Sequence, residues 1–126
     1  IFEGEVKGFE DGLTLIECRG QIFKVTGKGY DLGSAIRLRI LARDIALSLD
    51  EPGRTTVQNA IPSTIIEMSE RDGSILIRLS SRQGHDVTLS AMITSQSAKQ
   101  LDLQIGQDVY AMIKAVAVTR SRHPAG

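Results

Sequence analysis

Two hydroxyl residues and one lysine in the second half of the chain have types and spacing that suit the binding of an anion. Thr94 and Ser97 are three residues apart, so on a helix they would share one edge of its first turn and donate from their hydroxyls. A helix that begins there would add unpaired backbone N–H groups and the positive end of its dipole. Lys114 stands in an apolar run, where a lysine is costly to desolvate without an anionic partner.

Each of these residues also has a purely structural interpretation. Thr94 and Ser97 would cap a helix whether or not an anion is bound. Lys114 is also typical of a lysine at a strand edge, where it discourages aggregation or extends into water. The residue types alone leave both interpretations open.

No pattern in the sequence predicts catalysis or a metal centre. His85 and His123 have no Cys or His at the spacing of metal ligands. Cys18 has no His in a motif with it, so we interpret it as a small apolar core residue and not as a nucleophile. As the only cysteine, it cannot form an internal disulfide, which fits a reducing cytoplasm.

Composition and charge narrow the classes of function further. The chain has 126 residues, 41% of them hydrophobic and 24% charged, as in an ordinary globular protein, and its apolar stretches are far too short to span a bilayer. Fifteen Lys and Arg residues balance fifteen Asp and Glu residues, so no global field draws the protein to a polyanion. With 4% aromatic residues and no Trp, base-stacking platforms are disfavoured. Because the first residue is Ile1 and not Met, we expect a fragment of a longer protein.

Hydrophobic periodicity predicts that the chain is mostly β. Apolar and polar residues alternate over residues 36–40, 86–92 and 108–118, as in half-buried strands. Residues 94–101 begin with hydroxyl residues and continue through helix-tolerant ones, which predicts one short helix.

An internal repeat predicts two related halves. Residues 11–17 (DGLTLIE) match residues 72–78 (DGSILIR) at an offset of 61, and residues 32–42 match 105–115 at an offset of 73. Two units of about 60 residues with short strands favour tandem small Greek-key barrels of the OB type. We place the first barrel at 1–52, the second at 53–118 and a loose tail at 119–126, with the join near Pro52-Gly53.

Residues 55–118 resemble the molbindin (Mop) domain, which is also classed among the TOBE domains that follow the ATPase of some ABC importers. The resemblance rests on the opening Thr56-Val57-Gln58-Asn59, the segment from Thr94 through Ser97 to Leu101, the turn at Gly106 and the run from Ala111 to Ala115. Residues 42–62 look like the carboxy-terminal region of molybdate importer ATP-binding subunits. The sequence contains no G-x-x-x-x-G-K-[ST], so the nucleotide-binding part is absent from this chain, and we expect it not to be an enzyme by itself.

The resemblance implies a site for molybdate or tungstate, with no organic cofactor. The residues it implies as ligands, by side chain or adjacent backbone, are Thr56, Gln58, Thr94, Ser95, Ser97, Lys114 and Ala115. Gln58 departs from the family, whose members often carry Arg there, and an amide donates a hydrogen bond without bringing charge. Because family sites lie between protomers, Thr56 and Gln58 are expected to meet Thr94 to Lys114 of a neighbouring barrel, in a homo-oligomer.

The implied function is a cytoplasmic oxyanion-binding regulatory domain of an importer, at the inner face of the membrane. Its implied partners are the parent nucleotide-binding domain and the membrane subunit. Two alternatives stay open: a structural dimerisation module whose pocket has decayed, and, less favoured, an OB-type nucleic-acid binder. The first half lacks the helical segment and has Leu41 where the repeat has Lys114, so we expect residues 1–49 to be mainly a scaffold or a face for protein contacts.

Overall fold

The computed structural model describes residues 1–27 and 29–120, which are mostly β. The first six strands are β1 (Phe2–Glu10), β2 (Leu13–Cys18), β3 (Gln21–Thr26), β4 (Ala35–Arg39), β5 (Ile45–Ser48) and β6 (Asn59–Arg71). The others are β7 (Ser74–Ser81), β8 (Thr88–Thr94), β9 (Asp108–Ile113) and β10 (Ala117–Arg120). A 3₁₀ turn at Ala42–Asp44 precedes β5, and one short helix, α1 (Ser95–Gln100), follows β8. None of these helical segments has the length and apolar character that a membrane crossing requires.

The strands form two five-stranded antiparallel sheets, which confirms the predicted tandem of small OB-type barrels. The first sheet has the order β10-β4-β1-β2-β3, and the second has the order β5-β9-β6-β7-β8. In the second sheet β5 also packs against β8, so the two ends of the sheet meet. Register shifts near Lys7 in β1 and Ile66 in β6 mark the points where these long strands bend around their barrels.

Strand interiors follow the alternation that the sequence predicts. In β4, Ile36 and Leu38 are buried while Arg37 and Arg39 are exposed. The large buried side chains of the two sheets form one continuous apolar core, which also includes Cys18, as predicted. Because strand side chains alternate between two faces, each sheet presents one face to this core and one to solvent.

The two halves exchange strands. β5, which precedes the predicted join, pairs with β9 of the second sheet, from Ile45 opposite Ile113 to Ser48 opposite Tyr110. β10, from the end of the chain, pairs with β4 of the first sheet. Each sheet is therefore completed by a strand from the other half. β10 also contains Thr119, the first residue of the predicted tail, whereas residues 121–126 lie outside the described part of the chain.

The predicted alternating run at 108–118 is not one strand, and this corrects the placement of Lys114 within a strand. β9 ends at Ile113, and Lys114 is an exposed residue at a bend. Its backbone N–H donates to the carbonyl of Asp44 at 2.8 Å, where the two segments that leave the sheets lie side by side. The strand ends here because the chain must cross from the second sheet to the first, where β10 pairs with β4. The desolvation argument for Lys114 is accordingly weaker than the sequence suggested.

Polar side chains join the barrels at two places. The buried Asn59 accepts from the backbone N–H of Lys24 at 2.7 Å and donates to the carbonyl of the same residue at 2.8 Å. Elsewhere the buried Gln21 accepts from the hydroxyl of Ser81 at 2.5 Å and donates to Gln83 at 3.2 Å. The Asn59 bonds hold β3 of the first barrel against the start of β6, and the Gln21 bonds hold it against the end of β7 and the loop that follows.

Candidate functional site

A cavity of about 270 Å³ lies where the two barrels meet. Its lining residues come from the end of β3, the start of β6 and the segment after β9: Lys24, Val25, Thr26, Gln58, Asn59, Ile113, Lys114, Ala115 and Val116. Gln58, Lys114 and Ala115, three of the residues predicted as ligands, therefore line one cavity.

Strand register explains why Gln58 and Lys114 come together. Asn59, the first residue of β6, is opposite Ile113, the last residue of β9. In an antiparallel pair the next residues outward, Gln58 and Lys114, leave the same sheet edge side by side. Two residues that are 56 positions apart in the sequence thus become neighbours in space.

The cavity is lined by donors and carries positive charge. Lys24 is half-buried and Lys114 is exposed, and in the described part of the chain neither ammonium lies within the 4 Å of a carboxylate that would make an ion pair. None of the lining residues is acidic. The Gln58 amide donates only a long bond, of 3.5 Å, to the Thr56 carbonyl, which leaves it able to turn toward a ligand. Two cations and an amide, with no acid among the lining residues, suit an anion.

Thr56 is near this cavity without lining it. The residue is exposed in the loop before β6, two positions ahead of Gln58, and its carbonyl accepts the Gln58 bond. In the same loop the Thr55 hydroxyl accepts from the backbone N–H of Val57 at 3.1 Å, which gives the loop a local turn. The position of the Thr56 hydroxyl is therefore set by a loop and not by a strand.

The predicted helix is present, and its first turn is capped as its sequence indicates. The Thr94 hydroxyl accepts from the backbone N–H of Ser97 at 3.1 Å and donates to the Ser97 hydroxyl at 2.8 Å. The Ser97 hydroxyl accepts in that bond, so its own proton stays available for another acceptor. The Ser95 hydroxyl donates to the carboxylate of Glu70 at 2.6 Å, which places a negative charge beside the helix start.

The helix start and the cavity lie at opposite ends of β6. Thr94 pairs with Ser74, which in turn is opposite Arg71 at the far end of that 13-residue strand. The cavity adjoins the other end, at Asn59. A single chain therefore does not bring Thr94, Ser95 and Ser97 to Gln58 and Lys114.

Sequence reasoning missed the contribution of the first barrel, because Lys24 and Thr26 of β3 line the cavity. The sequence predicts that this half is mainly a scaffold or a face for protein contacts, and the structure adds that the end of β3 borders the cavity. A signal was present in the repeat, since Thr26 is opposite Leu13 as Thr94 is opposite Ser74, and Leu13 and Ser74 are 61 residues apart. Thr26 thus occupies in the first barrel the place that Thr94 has in the second.

No group of three or more His, Cys, Asp or Glu residues in the described ranges is arranged to hold a metal ion. The fold and the cavity define the class: a tandem β-barrel domain with a basic, donor-lined cavity between its barrels. Residues 55–119 match the model of the TOBE domain, and the chain belongs to that family.

Relatives with similar sequences are ATP-binding proteins of molybdenum import. The chain is 38% identical over 109 residues to the molybdenum import ATP-binding protein ModC of Aromatoleum aromaticum, in a match that covers 86% of this chain and 28% of that protein. It is 39% identical over 90 residues to ModC of Thiobacillus denitrificans, covering 71% of this chain and 25% of that protein. The chain thus spans less than a third of the length of these relatives.

The fold is similar to that of a solved protein of low sequence identity. The structure of the cytoplasmic molybdate-binding protein ModG with molybdate bound superposes with a TM-score of 0.76 at 18% identity. The superposition covers 95% of this chain and 94% of ModG. The likeness therefore extends over both barrels and includes their arrangement.

Proposed function

We propose that this chain is the oxyanion-binding regulatory domain of a molybdate importer's ATP-binding subunit, and that it binds molybdate or tungstate in the cavity between its barrels. Membership of the TOBE family and the similarity to ModC proteins support the parent transporter. The fold shared with the molybdate-binding ModG supports the ligand. The domain carries out no chemical step of its own.

The observation that carries the proposal is the donor set of the cavity. Molybdate is a tetrahedral dianion with four acceptor oxygens and no proton near neutral pH, so its pocket must consist of donors and cations. Lys114 supplies charge, the Gln58 amide supplies a donor, and the backbone at Ala115 lies beside them, with no acid among the lining residues. Such charge-assisted bonds are the stronger kind.

A second copy of the chain would supply the remaining donors. Thr94 and Ser97 lie beside the end of β6 that is far from the cavity, so they do not reach the cavity of their own chain. The Ser97 hydroxyl proton is available to an anion held by a neighbouring copy. Ser95 would join them once its hydroxyl left Glu70. Binding would then couple to assembly, because a ligand held between copies stabilises their association.

In the parent transporter this coupling provides regulation in the cytoplasm. The partners are the nucleotide-binding domain that precedes this region and the membrane subunit of the importer. Rising oxyanion would favour one arrangement of paired subunits and lower transport, provided that the two arrangements bind the anion with unequal affinity.

Equilibrium dialysis of the purified chain with molybdate, tungstate, sulfate and phosphate tests the proposal. We expect molybdate and tungstate to bind, and Lys114→Gln to weaken binding by roughly tenfold or more, the effect of removing one charge-assisted bond. Lys7→Gln is the matched control, because Lys7 is an exposed lysine of β1 that pairs with Glu5 at 2.8 Å. Absence of molybdate binding by the unmodified chain would reject the proposal and favour a dimerisation module.

A further inference from the structure

We infer that Lys24 is the second cation of the oxyanion pocket and that Thr26 is a hydroxyl donor beside it, so that the first barrel of the same chain contributes to the binding site. This inference rests on the proposed function of the cavity. It assigns a binding role to the half of the molecule that lacks the family's recognised ligand positions.

The alternation of β3 directs both side chains away from the core. Gln21, Phe23 and Val25 of this strand are buried, whereas Lys24 and Thr26 belong to the opposite face. That face meets the cavity, because both residues are among those that line it. Lys24 is half-buried, so its charge is screened less by solvent and salt than that of a fully exposed lysine.

Asn59 holds Lys24 in register with the rest of the pocket. This side chain, only 5% exposed, bonds both backbone polar groups of Lys24, at 2.7 and 2.8 Å. Asn59 also follows Gln58 directly and is opposite Ile113, the residue before Lys114. One buried amide therefore fixes the backbone positions of Lys24, Gln58 and Lys114 relative to one another, which is the preorganisation that a binding site needs.

A protective role at the sheet edge does not account for this lysine. β3 is the edge strand of the first sheet, and edge lysines commonly prevent pairing with other chains. At Lys24, however, both edge groups of the backbone are already occupied by Asn59. Its cross-strand neighbour is Leu15, so the ammonium has no acid opposite it either. A half-buried cation with neither function is explained by an anion in the cavity.

The charge of the ligand also favours a role for Lys24 in binding. A dianion bound by Lys114 and the neutral Gln58 would keep one uncompensated charge, and Lys24 supplies the missing positive charge from the other barrel. Thr26, which the repeat register aligns with Thr94, adds a hydroxyl on the same face. The pocket should therefore prefer dianions to monoanions of the same shape.

Isothermal titration of the 126-residue chain with molybdate and with perrhenate, a tetrahedral monoanion, tests the inference. We expect Lys24→Met, which keeps the aliphatic stem, to weaken molybdate binding by roughly tenfold while changing perrhenate binding less. Lys24→Arg keeps the charge and should retain most of the affinity. Lys7→Gln, on the outer surface of β1, should change neither. Adding Gln58→Arg to Lys24→Met should restore much of the lost affinity, because it returns the second charge to the pocket.

The outcomes separate the two proposals. If the unmodified chain binds no molybdate, the proposed function itself fails. If it binds and Lys24→Met binds equally well with the same preference over perrhenate, the role of Lys24 is rejected while the proposed function stands. Should Lys24→Met fold poorly, Lys24→Glu rescued by Gln58→Arg decides the question by the same comparison of affinities.

Discussion

At the scale of single residues, burial changes the chemistry of Cys18. It is 2% exposed and lies against Gly4, where an added Cβ would stand only 2.6 Å from its sulfur. Burial, assisted by the neighbouring charge of Glu17, raises the pKa of the Cys18 thiol from about 9 to about 11. The thiol is therefore held neutral and unreactive at physiological pH, as expected of a core residue.

This shift predicts a loss of stability at alkaline pH. Between about pH 9 and 11 the unfolded chain releases the Cys18 proton while the folded chain retains it, so the free energy of unfolding falls as the pH rises through that range. Urea denaturation at pH 8 and pH 10.5 measures the fall. The control is Cys18→Ala, whose free energy of unfolding should fall less over the same range because it lacks the thiol. Equal falls in both proteins would contradict the assigned pKa.

At the scale of elements, the connection of β3 to β6 depends on one side chain. Asn59→Ala would leave the backbone N–H and carbonyl of Lys24 without their partners, and we expect it to lower the free energy of unfolding by about 1 to 3 kcal/mol. Asn59→Asp retains the acceptor for the N–H but loses the donor, so its effect on the hydrogen bonds should differ from that of alanine.

Urea denaturation of these variants, followed by molybdate titration of those that fold, measures both consequences of the loss. Because Asn59 positions Lys24, affinity should fall together with stability. An Asn59→Ala protein with unchanged stability would show that the barrels are held together by other contacts, such as those of Gln21.

Elements were predictable from the sequence where local chemistry determines them. The alternation in β4 and the hydroxyl cap of α1 depend on neighbours in the chain, and both are found as predicted. The break after Ile113 was not predictable, because residues 114–118 continue an apolar pattern. What ends β9 is the pairing of β10 with a distant strand, and periodicity contains no information about partners.

At the scale of the whole molecule, the exchange of β5 and β10 makes the candidate site a property of both halves. The sequence indicated Gln58, Lys114 and Ala115 as ligands, and the structure brings them to one cavity. Lys24 was not predicted as a ligand, because a single lysine in an alternating strand is typical of any solvated face. Its significance depends on which strand of the other barrel it adjoins, which the repeat alone did not reveal.

Because β5 and β10 are exchanged between the sheets, we expect that the two halves of the chain do not fold independently. Without β10 the only strand left to pair with β4 in the described part of the chain is β1, and without the second half β5 loses β9, with which it pairs. Truncation after Val116 should therefore lower the melting temperature of the chain and expose the edge of β4. Truncation after Arg120, which retains β10, is the matched control and should melt at a higher temperature than the shorter protein. Residues 1–52 produced alone should lack a cooperative melting transition, and circular dichroism during heating measures each case. A cooperative transition in that fragment would mean that the first half reaches a stable fold without the exchanged strand, and the dependence of the pocket on both barrels would then arise from docking and not from shared sheets.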